Sequence, residues 1–456
     1  MKDNKESIKD AGNSCYHPMR FGEALESRRW LILLSVFSFY VSSAIGWLTY
    51  NATTGPSMRY FNITADQLLF FTDVNMYICL LLSFVGCWLA YKYFKVSLIV
   101  CTFVNGLAAW IRYLGGSNYM IALLCQILIG LAAIPLFGFA ILVPDRWFPT
   151  KERFAVNSLS VFANYVGWTL GGLIPCFIVE DDETKIPQNT KVQAILLTIP
   201  FILAVTFGKE RPNVPPSYSA LVKQIDNKSF WKQLKTLLKT RRFIGSSLCF
   251  GIVLGLSNSI PTTNGIFMDP LQLSYLNQGL ITAGYVVTGL ISGLIGTFWI
   301  EKKGLKNIDF ILKILLSISF FSLIALGVVF VYVENPNMLL ILICNCVLGI
   351  GLIGFMPFGC SSIIESNFPI QEAVSTNVMS SLANILSIMA SHLSVTSFVG
   401  KGGYLVLAGF MLPAWIYSMF FHKTEFKKQE ADEKHQDIDK EVENSKLYGL
   451  NSSEKN

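Results

Sequence analysis

Long apolar segments recur along this chain from Trp30 to Phe421, with few charged residues inside them. A helix needs about 20 mostly apolar residues to cross a hydrocarbon core about 30 Å thick. Within lipid, a helix satisfies its backbone polar groups internally. The sequence therefore predicts an all-α membrane protein with twelve transmembrane helices, at residues 30–50, 68–91, 96–114, 119–143, 153–179, 192–207, 243–267, 278–300, 308–332, 338–364, 372–398 and 403–421.

Composition and charge distribution agree with a membrane location. Apolar residues make up 52% of the chain and charged residues only 14%, far from the average of a soluble domain. The charge is concentrated at the two ends and in one central segment. We expect a cytoplasmic N-terminal tail at 1–29, a six-helix half at 30–207, a basic cytoplasmic loop at 208–242, a second six-helix half at 243–421 and a disordered cytoplasmic C-terminal tail at 422–456.

Patterns of catalytic or metal-binding residues are absent from the sequence. The ten cysteines form no CxxC pair, and nine of them fall in apolar segments, where they resemble small apolar residues. The four histidines are too scattered to indicate a metal site. We therefore expect no enzyme, no cofactor and no nucleic-acid partner. The expected partners are a small organic solute and the lipid bilayer, and the expected state is a monomer.

Lysine and arginine are distributed unevenly between the connecting segments, and positive residues tend to stay on the cytoplasmic side. Nine of them lie in the central loop and six in the N-terminal tail. The opposite side holds only five, namely Arg59, Arg112, Lys185, Lys191 and Lys401. Both termini are therefore predicted to be cytoplasmic, with the plasma membrane as the default location and an intracellular membrane as the alternative. The sequon at Asn62 falls in the first outer loop, where it is a candidate for glycosylation.

The two halves of the chain repeat each other around a short turn. At an offset of 220 residues, the segment from Asp145 to Asn164 aligns with the segment from Glu365 to Asn384. Eight positions match, seven of them identically, as duplicated transporter halves are expected to do. Each segment begins with an acid-x-x-Phe-Pro turn at the inner end of a span. We therefore predict that Asp145 and Glu365 brace an inner gate.

A second pair of matching segments lies in the loops after spans 2 and 8. Six spans in each half, parallel halves and a long basic central loop resemble the major facilitator superfamily, which keeps a signature of acidic and basic residues in these loops. The second loop matches that signature with Glu301 and Lys302, which we predict to take part in gating, whereas the first carries Tyr91 in place of the acid. Anchoring of basic residues to anionic lipid is the alternative explanation.

A closer resemblance lies in four short motifs, Lys209–Ala220 (KERPNVPPSYSA), Ala109–Arg112 (AWIR), Arg28–Trp30 (RRW) and Trp47–Tyr50 (WLTY). These motifs resemble the feline leukaemia virus subgroup C receptor-related transporters, and the resemblance runs over nearly all of residues 28–421. That family is associated with transport of choline, ethanolamine and haem. The resemblance implies a major facilitator fold that moves a small organic solute by alternating access.

Four residues are predicted to ring one cavity near the middle of the membrane. At a rise of about 1.5 Å per residue, similar depths are reached by Trp47 in span 1, Asn164 in span 5, Asn258 in span 7 and Asn384 in span 11. Span 7 also carries Pro261 among polar residues, which predicts unwound backbone facing the cavity. A tryptophan face can hold a quaternary ammonium by cation–π attraction, although a tryptophan in a span can equally serve packing.

The family resemblance also implies how such a cavity binds choline. Relatives pair the tryptophan with a tyrosine from span 7 and a glutamine from span 11, and here those positions hold Asn258 and Asn384. A glutamine expected in span 5 is replaced by Tyr165. Half of the implied cage is therefore missing, unless Tyr165 or Tyr50 supplies the lost ring.

Two further polar residues are candidates for the site. Asp73 is a carboxylate inside span 2, where a charge costs roughly 2.5–3.5 kcal/mol near the bilayer centre. It is predicted to face the cavity or a partner, as a counter-charge or proton-coupling acid, and the alternative is a residue near the helix start that reaches the outer headgroups. Gln126 in span 4 either lines the cavity or bonds to a neighbouring helix.

Three classes of function remain open at this point. A transporter of a small organic cation or amine, such as choline or ethanolamine, is the main prediction. A transporter of haem or another large amphipath is the first alternative, and it would require His, Cys or Tyr ligands in the cavity. A non-transporting receptor or scaffold that uses the charged tail is the second alternative.

Overall fold

The computed structural model describes residues 26–213, 216, 230–268, 271, 273–334, 336–370, 372–395, 400–431 and 433–434. Within this part every regular element is a helix, and twelve helical spans are long and apolar enough to cross a membrane. The predicted all-α fold of twelve spans is confirmed. The spans are Arg28–Trp47, Ala65–Lys92, Phe94–Leu114, Tyr119–Ala133 continued by Leu136–Trp147, Thr150–Ile178, Ile186–Phe207, Arg241–Met268, Tyr275–Lys303, Ile308–Tyr332, Met338–Ser366, Glu372–Val395 and Gly403–Phe420.

Several span boundaries differ from the predicted ones by up to six residues. Span 1 ends at Trp47 rather than at residue 50, so Tyr50 lies in the turn that leads to the outer helix Thr54–Phe61. Span 6 begins at Ile186 rather than at residue 192. Pro187 in its first turn suits a helix start, because the missing amide hydrogen would have no intrahelical partner there.

The interruption of helical structure lies in span 4 and not in span 7. Span 4 consists of Tyr119–Ala133 and Leu136–Trp147, and Pro135 between them has no amide hydrogen to continue the backbone ladder. Span 7 is continuous despite Pro261, so the predicted unwinding there is wrong. The break in span 4 is tolerated because it faces a cavity between the halves rather than lipid.

The two halves meet along spans 2 and 11 and along spans 5 and 8. Ser83 and Ser381 share a hydrogen bond of 3.0 Å between spans 2 and 11. Thr297 of span 8 donates to Ser158 of span 5 at 3.1 Å. These hydroxyl contacts cross the boundary between the halves without burying a charge, as expected of helix contacts in a membrane.

One face of the bundle carries both ends of the described chain and the central loop, and it is called the terminal face below. Lys209 pairs with Glu26 there at 2.9 Å. Hydrogen bonding to a backbone amide of the central loop and to Lys209 lowers the pKa of Glu26 below its usual value. On the opposite face, called the outer face, Arg59 pairs with Asp181 at 2.8 Å and with Glu183 at 3.0 Å. This arrangement is the one that the predicted topology requires, and the assignment of the terminal face to the cytoplasm stays a prediction.

The segment that follows span 12 folds back onto the terminal face over residues 422–431, and this segment is called the C-terminal strap. The Thr424 amide donates to the Asp309 carboxylate at 3.1 Å, and the Glu425 amide donates to the Ser366 hydroxyl at 3.0 Å. The prediction of disorder from residue 422 onward is therefore wrong for this part. The remaining stretches of the predicted tails and central loop, at 1–25, most of 214–229, and 435–456, lie outside the described residues.

Candidate functional site

A cavity of about 160 Å³ lies between the two halves. Spans 1, 2, 4 and 5 line it on one side, and spans 7 and 11 line it on the other. A cavity of about 150 Å³ in another protein holds a benzene molecule. This cavity therefore has room for a small organic molecule.

The structure brings together the four residues that the sequence predicted to ring one cavity. They are Trp47, Asn164, Asn258 and Asn384, and all four line it. Asn75 and Asn377 line it as well, and the sequence interpretation missed both. Asn377 lies two helical turns before Asn384, so the helical period could have placed it on the same face.

Trp168 is the second indole ring of the cavity, and the sequence interpretation also missed it. Its ring centroid lies 5.7 Å from that of Trp47. The Tyr165 ring packs edge-on against it at 4.8 Å, and the Trp168 side chain is only 4% exposed. Trp168 lies four residues after Asn164, which is neighbouring spacing on one helix face. That spacing was the available signal.

Trp47 is held by hydrogen bonds at both its ring and its backbone. Its indole nitrogen donates to the Thr72 carbonyl at 3.1 Å. The Gln126 amide donates to the Trp47 carbonyl at 3.3 Å, so Gln126 lies behind the tryptophan and does not line the cavity. Gln126 therefore has the second of its two predicted positions, in a hydrogen bond to a neighbouring helix.

Arg112 supports the same end of span 1. Its guanidinium donates to the Gly46 carbonyl at 3.1 Å and to the Gln193 side chain at 2.9 Å, and it is 2% exposed. Arg112 thus belongs to the interior of the first half, although the charge count assigned it to an outer loop. The C-terminal carbonyls of a helix carry partial negative charge, and this explains why a buried guanidinium is placed there.

Tyr50 and Tyr165 lie outside the cavity lining. Tyr50 follows the end of span 1, and its ring packs against Phe61 and Phe71 with centroids 5.1 and 5.2 Å away. The Tyr165 ring packs against Trp168, and its side chain is 2% exposed. Both rings are therefore committed to helix packing, and neither supplies the ring that the family resemblance left open.

Asp73 also lies outside the lining, near the outer ends of spans 2 and 11. Its carboxylate lies 3.6 Å from the imidazole of His392. The side chains are 22% and 59% exposed, respectively. Asp73 thus faces a partner in the other half rather than the cavity.

Asp145 and Glu365 both contact the C-terminal strap. The Lys428 ammonium lies 3.1 Å from the Asp145 carboxylate, and their side chains are 2% and 7% exposed. The backbone amide of Gln429 donates to Glu365 at 3.0 Å. Since Asp145 lies near the end of span 4 and Glu365 near the end of span 10, the strap connects the two halves at the terminal face.

The two signature loops differ in their contacts. Arg146 donates to the Tyr91 carbonyl at 2.7 Å and lies 5.0 Å from the centre of the tyrosine ring. At the position where the family has an acid, Tyr91 therefore contacts Arg146 through a backbone hydrogen bond and a cation–π contact. Glu301 and Lys302, at the end of span 8, are exposed and form no ion pair within the described part of the chain. No contact therefore supports their predicted part in gating.

Asn62 is exposed on the outer face, directly after the helix Thr54–Phe61. Its sequon threonine, Thr64, caps span 2 by accepting a hydrogen bond from the Gln67 amide at 3.4 Å. The position agrees with an accessible sequon, and glycosylation stays a prediction.

No charged side chain lines the cavity among the residues that the structure describes. A positive charge inside would be stabilised by the two indole faces and by amide oxygens rather than by a carboxylate. A negative charge would find no cationic partner in that lining. The chemistry of the site therefore suits a small cation better than an anion.

Comparison with known proteins gives one family match and several similar proteins. The family model of the Major Facilitator Superfamily matches residues 32–391. The choline/ethanolamine transporter flvcr2b of Danio rerio is 23% identical over 431 residues, which cover 91% of this chain and 88% of that protein. The choline/ethanolamine transporter FLVCR2 of Rattus norvegicus is 24% identical over 430 residues, covering 90% and 77%. The choline/ethanolamine transporter FLVCR1 of Felis catus is 23% identical over 428 residues, covering 87% and 74%.

Proposed function

Because this chain belongs to the Major Facilitator Superfamily, we propose that it transports choline, ethanolamine or a closely related small organic cation across a membrane. The sequence resemblance to the choline/ethanolamine transporter family is confirmed by matches that span 91% and 90% of the chain. Similarity over the whole bundle supports a shared transport architecture. At 23% and 24% identity, the substrate itself remains part of the proposal.

The observation that carries the proposal is the pair of indole rings in an uncharged cavity. Trp47 and Trp168 lie 5.7 Å apart between ring centroids, and both line the space between the halves. A cation over a tryptophan face gains about 2 kcal/mol or more when the site is dry. Amide oxygens from the opposite half can solvate the same charge.

The alternative functions are less well supported. The cavity of about 160 Å³ is close in size to one that holds benzene, a much smaller molecule than haem. Cys79 and Tyr40 line it, but neither His392 nor His422 does. The known proteins that match over most of the chain are named as transporters, which favours transport over a purely receptor or scaffold role. Catalysis forms no part of the proposal.

We propose that contacts between the halves act as two gates on either side of the cavity. At the terminal face, the strap joins Asp145 of one half to Glu365 of the other through Lys428 and the Gln429 amide. At the outer face, Asp73 of span 2 meets His392 of span 11. Alternating access requires that these two sets of contacts break in turn, because a transporter that opened both at once would leak.

The Lys and Arg asymmetry supports a topology in which the terminal face, with both termini, is cytoplasmic. The plasma membrane is the proposed location, and a monomer is the proposed state. Rocking of the two halves within one chain is sufficient for this mechanism.

Uptake of labelled choline and ethanolamine into proteoliposomes tests the proposed function. Wild-type protein is expected to take up at least one of them above protein-free liposomes. Trp47→Ala should weaken binding by about tenfold or more, since it removes one cation–π contact and about 1.4 kcal/mol is a factor of ten. The matched control is Trp299→Ala, which truncates a tryptophan that is 37% exposed outside the cavity lining.

Transport rates are normalised to folded protein measured by size exclusion and thermal unfolding. Affinity that is equally wild-type in both tryptophan variants would reject Trp47 as a substrate ligand. Absence of uptake and of binding for both solutes in wild-type protein would reject the proposed substrate class.

A further inference from the structure

The cavity between the halves is lined by five asparagine side chains, Asn75, Asn164, Asn258, Asn377 and Asn384. Within the described part of the chain, only the Asn75 amide has a hydrogen-bond partner, the Phe71 carbonyl at 3.4 Å. Asn377 is 1% exposed, and its amide nitrogen has no partner there. A buried polar group without a partner is costly. These amides are therefore available to a bound polar molecule.

The aromatic rings of the described cavity lining all lie on one side of the cavity. Both indole rings, Trp47 and Trp168, belong to the first half. The second half contributes no ring to the described lining, which on that side consists of Leu254, Asn258, Asn377, Ser380 and Asn384. A cation in this cavity therefore meets aromatic faces only on the side of the first half, which also contributes the Asn75 and Asn164 amides. On the other side it meets carboxamides and no ring.

Asn258 and Asn384 lie at neighbouring levels of the membrane. Spans 7 and 11 are fixed against each other by the Ser259 and Ser387 hydroxyls, 3.2 Å apart. Asn258 immediately precedes Ser259, and Asn384 lies three residues before Ser387. Their amides are therefore within about one helical turn, or 5.4 Å, of the same height. One small ligand can contact both.

Primary and quaternary ammonium groups need different surroundings. A quaternary ammonium has no N–H donor and is recognised by aromatic faces that surround its methyl groups. A primary ammonium has several N–H donors, each of which needs an acceptor once it leaves water. Because the rings lie on one side of the cavity, part of a quaternary group would face amides to which it cannot donate a hydrogen bond. A primary ammonium uses both surfaces.

We infer that this cavity selects a primary ammonium, as in ethanolamine, over its quaternary analogue, as in choline. The side-chain oxygens of Asn258 and Asn384 accept the N–H groups, and Trp47 and Trp168 cover the opposite face of the cation. This inference rests on the proposed function and adds to it the direction of selectivity and the residues that set it.

A series of N-methylated amino alcohols provides the test. Ethanolamine, N-methylethanolamine, N,N-dimethylethanolamine and choline differ only in how many N–H donors have been replaced by methyl groups. Their inhibition constants are measured on purified wild-type protein in proteoliposomes. The affinity should fall along the series, by about tenfold or more from the first to the last member, because hydrogen bonds between charged and neutral groups are being lost.

Variants of the amide side then identify the acceptors. Asn258→Leu and Asn384→Leu should each flatten the dependence on methylation, mainly by weakening ethanolamine. Asn384→Gln keeps an amide acceptor and should restore part of the dependence. Trp168→Leu should lower the affinity for both ethanolamine and choline, and the loss should be larger for choline. Asn307→Leu, which removes a partly exposed amide of the terminal face, is the matched control and should behave as wild type.

The outcomes separate this inference from the proposed function. If all members bind and choline binds most tightly, the selectivity is the reverse of that inferred, and the proposed function stands. If the order is as inferred but remains unchanged in folded Asn258→Leu and Asn384→Leu protein, the acceptors are misassigned and the inference is overturned. If no member binds, both fall together.

Discussion

At the scale of single residues, the end of span 1 is the most constrained part of the site. Trp47 has its ring nitrogen bonded to Thr72 and its carbonyl bonded to Gln126. One residue earlier, the Gly46 carbonyl accepts from Arg112. These contacts fix both the position and the orientation of the indole before a ligand arrives. Such fixation lowers the ordering cost of binding.

Asp73 leads to a residue-scale prediction that differs from the role of a counter-charge. Asp73→Asn should leave the KM of a transported cation at the wild-type value, because the carboxylate faces His392 and not the cavity. Its maximal rate should rise by at most about fivefold, since even an exposed ion pair is worth only about 0.2–1 kcal/mol and this carboxylate–imidazole contact is partly exposed. Saturation uptake measures both constants.

His392→Gln serves as the matched variant for this prediction. It should change the rate as Asp73→Asn does, and the double variant should add nothing further, because both changes remove the same contact. A raised KM in Asp73→Asn alone would contradict the placement of the carboxylate outside the site.

At the scale of structural elements, the C-terminal strap is the part of the fold with the clearest mechanical role. It begins directly after span 12 of the second half, yet its Lys428 is buried against Asp145 of the first half. Breaking a buried ion pair by removing one partner typically costs about 3–5 kcal/mol, because the remaining charge is left without compensation. The strap thus adds substantially to the closed state of the terminal face.

Lys428→Ala should open the terminal side of the cavity. Cys79 lines the cavity and serves as a native reporter. In inverted membrane vesicles, a small membrane-impermeant thiol reagent should modify Cys79 faster in Lys428→Ala than in wild type, by about tenfold or more. Mass spectrometry of the Cys79 peptide gives the rate.

Lys427→Ala is the control for the strap, since Lys427 is 51% exposed and pairs only with the neighbouring Glu425 among the described residues. Its Cys79 rate should equal that of wild type, whereas Asp145→Asn should behave like Lys428→Ala. Equal rates in Lys428→Ala and Lys427→Ala would contradict a gating role for the buried pair.

Docking of the strap should also depend on pH through His422. Burial lowers the pKa of this imidazole below its ordinary 6.5, and Arg242 and Lys313 act in the same direction, while Asp309 opposes them. The docked strap therefore favours neutral His422. The contribution of neutral His422 to the stability of the docked strap is fully present above pH 6.5 and is lost as the pH falls below that value.

Hydrogen exchange of residues 422–431 measures this dependence, after correction for the intrinsic exchange rate at each pH. Protection should fall between pH 7 and pH 5.5 in wild type and stay flat in His422→Asn. A fall of equal size in both proteins would assign the dependence to another group.

At the scale of the whole molecule, two six-helix halves enclose one cavity and touch each other on both sides of it. The contacts at the terminal face include the buried Lys428 pair, whereas those at the outer face include a solvent-exposed histidine. The terminal side is therefore the more firmly closed in this conformation. A transport cycle has to reverse that balance.

The orientation of the whole bundle is tested by epitope tags at residues 10 and 440. Both should be detected only after the cytoplasmic side is made permeable, because the Lys and Arg bias places both termini there. A tag at the exposed residue 62, in the outer loop, should be detected on intact cells and serves as the control. Detection of either terminal tag on intact cells would reject the proposed topology.

The class of fold, the number and order of spans and the existence of two related halves follow from the sequence alone. Apolar segments about 20 residues long have few stable solutions in lipid, and the repeated turns at Asp145 and Glu365 mark equivalent positions in each half. The depth of a residue in the membrane also increases in proportion to its position along a helix. That is why Trp47, Asn164 and Asn384 could be assigned to the middle of the membrane, and they do line one cavity.

The direction in which each side chain faces, and the distant residues that it meets, depend on how the helices pack. Lipid is as apolar as the interior of the bundle, so hydrophobicity does not distinguish a lipid-facing side from a packed one. For this reason Trp168 was missed, and Asp73 was not assigned to His392. The pairing of Lys428 with Asp145 joins positions far apart in sequence, and neither local pattern nor composition encodes such a contact. The three-dimensional packing of the halves alone creates it.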